Sequence, residues 1–311
     1  MPDRNQYLYG PVPSRRLGLS LGVDIVPFKT CTLDCIYCQL GKTTSKTLER
    51  KEYVPVGDVV TELKQLLDAG LQADHITIGG SGEPTLHSGL GRLIEGIKKI
   101  TSIPVALLTN GTLFYLPEVR ADCAAADVIL PSLDAGDQQT FDTVNRPLEQ
   151  ITFDRLVDGL CALKNEYQGQ IWLEVFCIDR FNTNSPQLAK IASAIKKIRP
   201  DKVHLNTAVR PTAEQGVEKI APDKLREIAR QLAPNCEIIV DFTSSSHCQK
   251  VTHNVPQTLL SMLKRRPCSL NDICSALGLD ASKALACLDA LKEQGVVWSE
   301  NKQGKTFFKA H

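Results

Sequence analysis

Short apolar runs alternate with helical segments along the first 245 residues of the chain. The runs rich in Val, Ile and Leu predict strands at residues 19–26, 75–80, 104–110, 127–133, 171–178 and 203–209, with a seventh edge strand at 237–244. Apolar residues at helical spacing predict helices at residues 57–70, 89–100, 117–126, 152–167, 186–198 and 222–233. This alternation predicts right-handed βαβ units and a parallel sheet. Six units favour an α/β fold of the partial (β/α)6 TIM-barrel type, with a flavodoxin-like open sheet as the alternative.

The pattern changes after about residue 250. Residues 256–311 predict a helix, a short helix, a turn, a third helix and a hairpin, an order typical of a helix-turn-helix followed by a wing. We therefore predict two domains, a barrel at 1–250 and a winged-helix-like domain at 251–311. The second range carries eight Lys and Arg against five Asp and Glu, a net charge of +3. This mild excess leaves both nucleic-acid contact and protein contact open for the winged helix.

Charge and composition exclude several classes of protein. The net charge is +1, so no overall field favours nucleic acid or a membrane surface. No apolar run approaches the roughly 20 residues that span a bilayer, and residues 1–16 lack the apolar segment of a signal peptide. We expect a cytoplasmic protein with no membrane partner. Eleven cysteines then indicate reduced thiols and a metal site rather than a disulfide framework.

Three cysteines lie close together in the stretch 30-TCTLDCIYCQLGK-42. Cys31, Cys35 and Cys38 have the spacing C-x3-C-x2-C. A closed zinc site normally uses four ligands, and a cluster bound through four cysteines is fully ligated. Three thiolates on a cuboidal cluster would leave one iron open for another ligand. A zinc site and a set of redox thiols remain the alternatives.

A second polar stretch, 79-GGSGEPTL-86, follows the second predicted strand. Because the carboxyl ends of parallel strands share one edge, we expect it to face the cavity of the cysteine loop, together with residues 109–111 and 132–134. The stretch lacks the last glycine of a dinucleotide fingerprint, and Glu83 would repel a pyrophosphate. A carboxylate beside adjacent glycines suits a ligand with an ammonium group. A plain βα turn is the alternative interpretation.

Together the two motifs resemble the signature of the radical S-adenosylmethionine (SAM) superfamily over roughly residues 18–245. The resemblance implies one 4Fe–4S cluster with Cys31, Cys35 and Cys38 as its ligands. It implies that SAM fills the open iron through its amino and carboxylate groups. It also implies that an electron from the cluster cleaves SAM to a 5′-deoxyadenosyl radical, which abstracts a hydrogen atom from a substrate.

The resemblance also implies where SAM binds. Tyr37 is implied beside the adenine. Glu83 and the backbone of Gly79 and Gly80 are implied at the methionyl ammonium. Three further residues are implied near the methionine carboxylate and the ribose: Asn110, Ser132 and Asp134. Local turn capping is the alternative role for these three.

A finer resemblance concerns the stretches 9-YGPVPSRRLGLSLGVDIVPFKTC-31 and 145-NRPL-148. They are similar to a branch of iron–sulfur oxidoreductases related to the tRNA wyosine-pathway (imidazoguanosine) synthase. We expect a radical SAM enzyme whose substrate is unidentified, with a tRNA or RNA base as one candidate and a flavodoxin- or ferredoxin-like electron donor as a partner. The alternative is an iron–sulfur redox-sensing regulator that binds DNA through the winged helix. Glu83 favours the enzyme, because a sensor needs no pocket for an ammonium group.

Three residues outside the two cofactor motifs are also notable. Arg15 and Arg16, just before the first predicted strand, are candidates to clamp a phosphate or carboxylate, or are solvated surface charges. Most of the remaining cysteines are predicted to be buried small hydrophobic residues. Cys177 lies near the end of the fifth strand and is either buried or directed into the cavity, with burial favoured.

Overall fold

The computed structural model describes residues 7–239, 255–302 and 304–310. Its strands are β1 (Leu8–Ser14), β2 (Gly18–Val23), β3 (Thr30–Cys31), β4 (Ser45–Lys46), β5 (His75–Ile78), β6 (Val105–Leu108), β7 (Val128–Leu130), β8 (Gln170–Cys177), β9 (Lys202–Thr207), β10 (Cys236–Ile238), β11 (Cys268–Ser269), β12 (Val297–Lys302) and β13 (Lys305–Ala310). Its helices are α1 (Val56–Asp68), α2 (Leu90–Ile100), α3 (Pro117–Cys123), α4 (Gln138–Val144), α5 (Phe153–Glu166), α6 (Ser185–Ile198), α7 (Pro222–Leu232), α8 (Val255–Arg265), α9 (Leu270–Leu277) and α10 (Ala281–Glu293).

The main sheet contains eight strands in the order β1-β2-β5-β6-β7-β8-β9-β10. Strand β1 is antiparallel to β2, and all the other neighbours in this sheet are parallel. Because the parallel strands follow chain order, successive right-handed crossovers keep their helices on one face. A flavodoxin-like sheet would reverse its direction at a switch point. The fold is therefore a partial TIM-type barrel, and the predicted fold class is confirmed.

Strand residues alternate between the helical layer and the barrel interior. On β6, Val105 and Leu107 belong to the large core shared with the helices. Ala106, between them, packs with Leu17 and Val128 in a separate small cluster. The interior is thus partly filled by small and branched side chains, and the site lies where this filling ends.

The structure differs from the sequence prediction in several elements. Strand β1 and the short helix α4 were not predicted. Strand β1 contains Pro11 and Pro13, which a sheet tolerates at its edge, and β1 is the edge strand here. Strand β2 ends at Val23 instead of residue 26, which leaves Asp24 in a loop. The predicted seventh strand begins as β10, and its residues 240–244 lie outside the described residues.

The C-terminal unit consists of α8, β11, α9, α10, β12 and β13, with a sheet in the order β11-β13-β12. Helix α9 begins at a capping box formed by Ser269 and Asp272, and it ends at Gly278 with φ of 63°. Apolar side chains of the three helices and the hairpin pack in a cluster, separate from the main core, that includes Leu259 and Leu288. These local signals explain why the order of elements could be predicted.

The C-terminal unit packs against the barrel. Its apolar cluster includes Val12 of β1. Lys302 Nζ donates to the carbonyl oxygens of Arg210 and Val217, at 3.1 and 3.0 Å. The proposed boundary near residue 250 lies outside the described residues, so the division into two domains stays a prediction. Across the described part of the chain, none of the helices combines the length and apolarity needed to cross a membrane.

Candidate active site

The cysteine loop begins where β3 ends. Cys31 is the last residue of β3, which pairs with β4 in a small parallel sheet. Cys35 and Cys38 follow in a turn, in which the Cys38 N–H donates to the Cys35 carbonyl oxygen at 3.1 Å. All three side chains are half-buried. The structure therefore brings the predicted cluster ligands into one compact loop.

Each cysteine sulfur accepts a hydrogen bond from a different N–H donor. Two donors are side-chain amides that follow neighbouring elements, and the third is the ammonium group of the residue just before β3. The contacts are Asn110 Nδ2 to Cys31 Sγ at 3.5 Å, Asn145 Nδ2 to Cys35 Sγ at 3.4 Å and Lys29 Nζ to Cys38 Sγ at 3.2 Å. Such hydrogen bonds stabilise negative charge on cluster-bound sulfur and influence the reduction potential of a cluster.

The chemistry of these thiols fits an iron–sulfur cluster. Burial, with a smaller effect of Glu83, raises the pKa of Cys31 to about 12. Burial also raises the pKa of Cys35 well above its usual value. Thiolates in such a site need a positive partner, which bound iron would supply. In the described residues no three Cys, His, Asp or Glu side chains form a group suited to a single metal ion. A cluster differs, because each cysteine binds its own iron.

The glycine-rich loop lies directly beside the chain that enters the cysteine loop. The Lys29 N–H donates to the Ser81 carbonyl oxygen at 2.7 Å, and the Glu83 N–H donates to the Thr30 carbonyl oxygen at 3.0 Å. A Cβ atom at Gly82 would lie 2.1 Å from the Thr30 oxygen, so only glycine permits this approach. The two sequence motifs are therefore neighbours in space, as predicted from strand order.

Glu83 is 2% exposed and fully engaged in internal hydrogen bonds. Its carboxylate accepts from the Thr85 N–H (3.1 Å), the Thr85 and Thr109 hydroxyls (both 2.6 Å) and the Asn110 N–H (2.7 Å). Burial raises the pKa of Glu83, and these donors oppose the rise. The carboxylate thus fixes Asn110, whose amide contacts Cys31. Contact of Glu83 with a methionyl ammonium stays a prediction.

Asp134 organises a second group of side chains beneath the cysteine loop. The Tyr37 ring stacks on Phe176 with centroids 4.1 Å apart, and its hydroxyl donates to Asp134. Asp134 also accepts from Asn145 Nδ2 at 2.9 Å and from the Phe176 N–H at 2.8 Å. Burial raises the pKa of Asp134 to about 6. One carboxylate therefore orients both Tyr37 and the amide that contacts Cys35.

A cavity of about 390 Å³ opens beside the two loops. Its wall includes Cys31, Cys38, Tyr37 and the stretch from Gly79 to Gly82. The remaining predicted site residues do not line it: Cys35, Glu83, Asn110, Ser132 and Asp134. The structure thus brings the predicted residues together in two layers, of which one faces the cavity. The assignment of each residue to SAM stays a prediction.

Arg15 and Arg16 also line the cavity, so they are not solvated surface charges. Arg16 forms an ion pair with Glu174, in which the side chains are 15% and 16% exposed. Cys177 is 1% exposed and belongs to the main core, and burial raises its pKa. The prediction that Cys177 is buried is confirmed.

Several residues that support the site were missed in the sequence. The Tyr9 hydroxyl donates to the Gly79 carbonyl oxygen at 2.9 Å, and Asp24 Oδ1 accepts from the Ser81 N–H at 3.1 Å. Arg265 of α8 contacts both supports: its Nε lies 3.0 Å from Asp24 Oδ2, and its guanidinium lies 4.8 Å from the Tyr9 ring centroid. The C-terminal unit therefore reaches the glycine-rich loop from behind.

The sequence-family model of the Radical SAM superfamily matches residues 25–185, more than half of the chain. The chain belongs to the radical SAM superfamily. This radical SAM enzyme is 33% identical over 285 residues to a UPF0026 protein of Helicobacter pylori strain J99, with 90% of this chain and 91% of the relative covered. It is therefore also a UPF0026 protein.

The radical SAM enzyme is also similar to a longer relative in sequence and to a solved structure in fold. It is 37% identical over 306 residues to a protein named GTPase Obg from Brachyspira hyodysenteriae, with 97% of this chain covered but only 45% of that relative. Its fold is similar to a radical SAM methyltransferase from Sphaerobacter thermophilus, with a TM-score of 0.57, 14% identity, and 71% and 66% of the two chains covered. Radical SAM enzymes bind a 4Fe–4S cluster and SAM and require an electron donor.

Proposed function

We propose that the protein is a one-cluster radical SAM enzyme that removes a hydrogen atom from a substrate held in the 390 Å³ cavity. When bound, the cluster and SAM supply a 5′-deoxyadenosyl radical for this step. The observation that carries the proposal is the donor set around the cysteine loop, in which three sulfurs accept hydrogen bonds from three separate N–H groups. A structural zinc site or redox thiols would not require the adjoining cavity.

The proposal assigns separate roles in cluster binding and SAM binding to the residues of the site. Cys31, Cys35 and Cys38 hold the cluster. The Gly79 and Gly80 backbone and the Tyr37 ring form the wall against which SAM binds, because these groups line the cavity next to two of the cysteines. Contacts of Glu83, Asn110, Ser132 and Asp134 with SAM were predicted from the sequence. Because none of the four lines the cavity, we propose that they mainly position its wall and the donors of the cysteine loop. We also propose a flavodoxin- or ferredoxin-like protein as the electron donor.

We interpret the C-terminal unit as winged-helix-like, from its order of three helices, short strand and hairpin. Helix α10 occupies the position of a recognition helix in that fold. Its charged residues are Lys283, Asp289, Lys292 and Glu293, a net charge of zero, so the helix offers no excess positive charge to phosphates. This surface supports protein contact over nucleic-acid contact and disfavours the DNA-binding regulator. RNA as a substrate, and the relation to the wyosine branch, stay hypotheses.

Anaerobic reconstitution tests the proposal. We expect about four iron atoms per chain, as one 4Fe–4S cluster requires, and 5′-deoxyadenosine when the protein is reduced with dithionite in the presence of SAM. Cys31→Ala, Cys35→Ala and Cys38→Ala should each abolish both. Cys161→Ala, at a half-buried cysteine outside the loop, is the matched control and should keep both. Iron sufficient for two clusters, or no 5′-deoxyadenosine from fully loaded protein, would refute the proposal.

A gel-shift titration tests the regulator alternative. We expect the intact, reconstituted protein to bind duplex DNA weakly at low salt and to lose that binding steeply as salt is added, because only general electrostatic contacts are available. Tight, sequence-dependent binding at physiological salt by protein that forms no 5′-deoxyadenosine would favour the regulator. Bulk tRNA in a parallel titration tests the RNA hypothesis.

A further inference from the structure

Lys29 brings a positive charge to the cysteine loop from a buried position. Its side chain is 3% exposed, although an ammonium group is strongly hydrated in water. Its Nζ donates to Cys38 Sγ at 3.2 Å, and the residue lines the same cavity as Cys31 and Cys38. A lysine is almost never fully buried unless a negatively charged group pairs with it. A cluster-bound thiolate at Cys38 would supply that negative charge.

The backbone of Lys29 has a conformation that residues other than glycine rarely adopt. Its φ is 59°, in the left-handed region, where a Cβ atom lies too close to the following carbonyl oxygen. The Lys29 N–H donates to the Ser81 carbonyl oxygen at 2.7 Å, and the Lys29 carbonyl oxygen accepts from the Ser45 N–H at 3.1 Å. These two bonds fix the residue between the glycine-rich loop and β4. Glycine would fit this backbone with less strain, so the presence of lysine points to a role for its side chain.

The other two donors to the cysteine sulfurs are neutral amides, and each is held by a buried carboxylate. The Asn110 N–H donates to Glu83 at 2.7 Å, and Asn145 Nδ2 donates to Asp134 at 2.9 Å. Both carboxylates are 2% exposed. Buried charges are screened much less than exposed ones, so they act on the nearby sulfurs. The amide donors are therefore accompanied by negative charges that oppose the addition of an electron.

The opposing charges act on individual cysteines. Burial and the charge of Glu83 raise the pKa of Cys31, and the charge of Lys29 opposes this rise. Burial and the charge of Asp134 raise the pKa of Cys35. The two carboxylates therefore make negative charge on the sulfurs less favourable, and Lys29 makes it more favourable. The same signs apply to an added electron, because it also increases the negative charge of the site.

We propose that Lys29, through its contact with Cys38, raises the reduction potential of the cluster and so favours electron transfer into it. This inference rests on the proposed function, because it concerns the cluster that the three cysteines hold there. In the reduction, one electron leaves the flavodoxin- or ferredoxin-like donor, and the site gains one unit of negative charge. A fixed ammonium at a cysteine sulfur stabilises that charge, since net charge and hydrogen bonds to the sulfurs influence the potential of a cluster.

The short distance between Lys29 and Cys38 allows the size of the effect to be estimated. At the effective dielectric constant of about 20 that applies in proteins, two unit charges about 4 Å apart change an equilibrium constant by more than about 100-fold. The added electron is shared by the whole cluster, so only part of this interaction is gained on reduction. We expect an effect of about 10-fold on the ratio of reduced to oxidised cluster, which is about 59 mV for a one-electron couple.

A redox titration of the reconstituted protein, followed by EPR of the reduced cluster, measures the potential directly. Lys29→Met keeps the length of the side chain and loses its charge, so we expect full iron content and a midpoint potential about 59 mV more negative than that of the wild type. Lys29→Arg keeps the charge and should stay close to the wild type. Lys42→Met, shortly after Cys38, is the matched control, because the Lys42 side chain is 70% exposed and its charge is screened by water and salt. Its midpoint potential should equal that of the wild type.

Lys29→Gln separates the charge from the hydrogen bond, because its amide is still a donor. Its potential should fall by most of the amount found for Lys29→Met. Equal potentials in the wild type and in a fully loaded neutral variant would overturn the inference, as would a Lys29→Arg potential as low as that of Lys29→Met. Loss of iron from both neutral variants while Lys29→Arg stays loaded would also overturn it, because the charge would then serve to retain the cluster and not to set its potential.

An assay for 5′-deoxyadenosine on the same samples, reduced with dithionite in the presence of SAM, separates the inference from the proposed function. A potential that depends on the Lys29 charge, in wild-type protein that forms no 5′-deoxyadenosine, supports the inference and refutes the proposed function alone. SAM cleavage combined with a potential that does not depend on Lys29 refutes the inference alone. A wild-type protein that binds no cluster overturns both.

Discussion

Removing the charge of Arg265 should destabilise the barrel at Asp24, which lies 241 residues earlier in the chain. Arg265 Nε lies 3.0 Å from Asp24 Oδ2, and the two side chains are 12% and 7% exposed. In Arg265→Met the length and apolar character of the side chain are largely kept, while its charge and donors are lost. Asp24 would then remain as a buried carboxylate whose cationic partner is missing.

The structure allows the size of the effect to be estimated. Loss of one partner of a buried ion pair costs about 3–5 kcal/mol. Asp24 keeps the hydrogen bonds from the Ser81 N–H and hydroxyl, which favours the lower end of that range. The contact of Arg265 with the Tyr9 ring adds about 0.5–1 kcal/mol. We expect a loss of about 3.5–4 kcal/mol in the free energy of unfolding.

Urea denaturation of the apoproteins measures this loss, with the double variant Asp24→Asn/Arg265→Met included. The double variant should be more stable than Arg265→Met, because it no longer buries an unpaired charge. Arg226→Met, which breaks an exposed ion pair with Asp223, should leave the urea midpoint nearly unchanged. If Arg265→Met were no more destabilising than Arg226→Met, the C-terminal unit would not hold the barrel through this pair.

Three further predictions follow from buried polar groups and from the C-terminal unit. Glu83→Gln should lower the free energy of unfolding by about 1–3 kcal/mol, because the new amide group would face the Asn110 N–H donor. Glu118→Gln, at an exposed position of α3, is the control. Equal urea midpoints for the two variants would contradict the prediction. Burial lowers the pKa of His204 to about 3. Between pH 6.5 and 3, His204 is therefore protonated in the unfolded chain but neutral in the native protein. Stability should therefore fall as pH decreases from about 6.5 to 4, by up to about 1.4 kcal/mol per pH unit, and His204→Phe should flatten this dependence in urea titrations; an unchanged slope would exclude His204 as the cause. A chain that ends before Val255 should unfold at lower urea and bind SAM more weakly, because Asp24 loses Arg265; unchanged values for both would show that the unit is separable.

The cofactor side of the site could be predicted because its determinants are local in sequence. Cys31, Cys35 and Cys38 fall within eight residues, and the glycine-rich loop is one continuous stretch. The order of parallel strands then brings both to one edge of the sheet. The stretch 145-NRPL-148 carries only a family resemblance in the sequence, and the structure adds a contact of Asn145 Nδ2 with Cys35 Sγ at 3.4 Å.

The support behind that site could not be predicted, because it depends on contacts between distant parts of the chain. Arg265 and Asp24 are separated by 241 residues, and neither belongs to a recognisable motif. The four hydrogen bonds of buried Glu83 likewise depend on the positions of Thr109 and Asn110, which follow β6. Strand β1 was missed for another reason, since its prolines are atypical of strands except at an edge.

Two neighbouring arginines at the end of α8 connect the C-terminal unit to the barrel. Arg265 contacts Asp24 and Tyr9, which in turn hold the glycine-rich loop. Arg266 lines the cavity, and its backbone N–H still bonds to the Met262 carbonyl oxygen of the helix at 3.1 Å. Because the helix end fixes both residues, a shift of α8 would move the cavity wall and the support of the loop together. The end of α8 is therefore structurally continuous with the cavity wall and with the support of the glycine-rich loop.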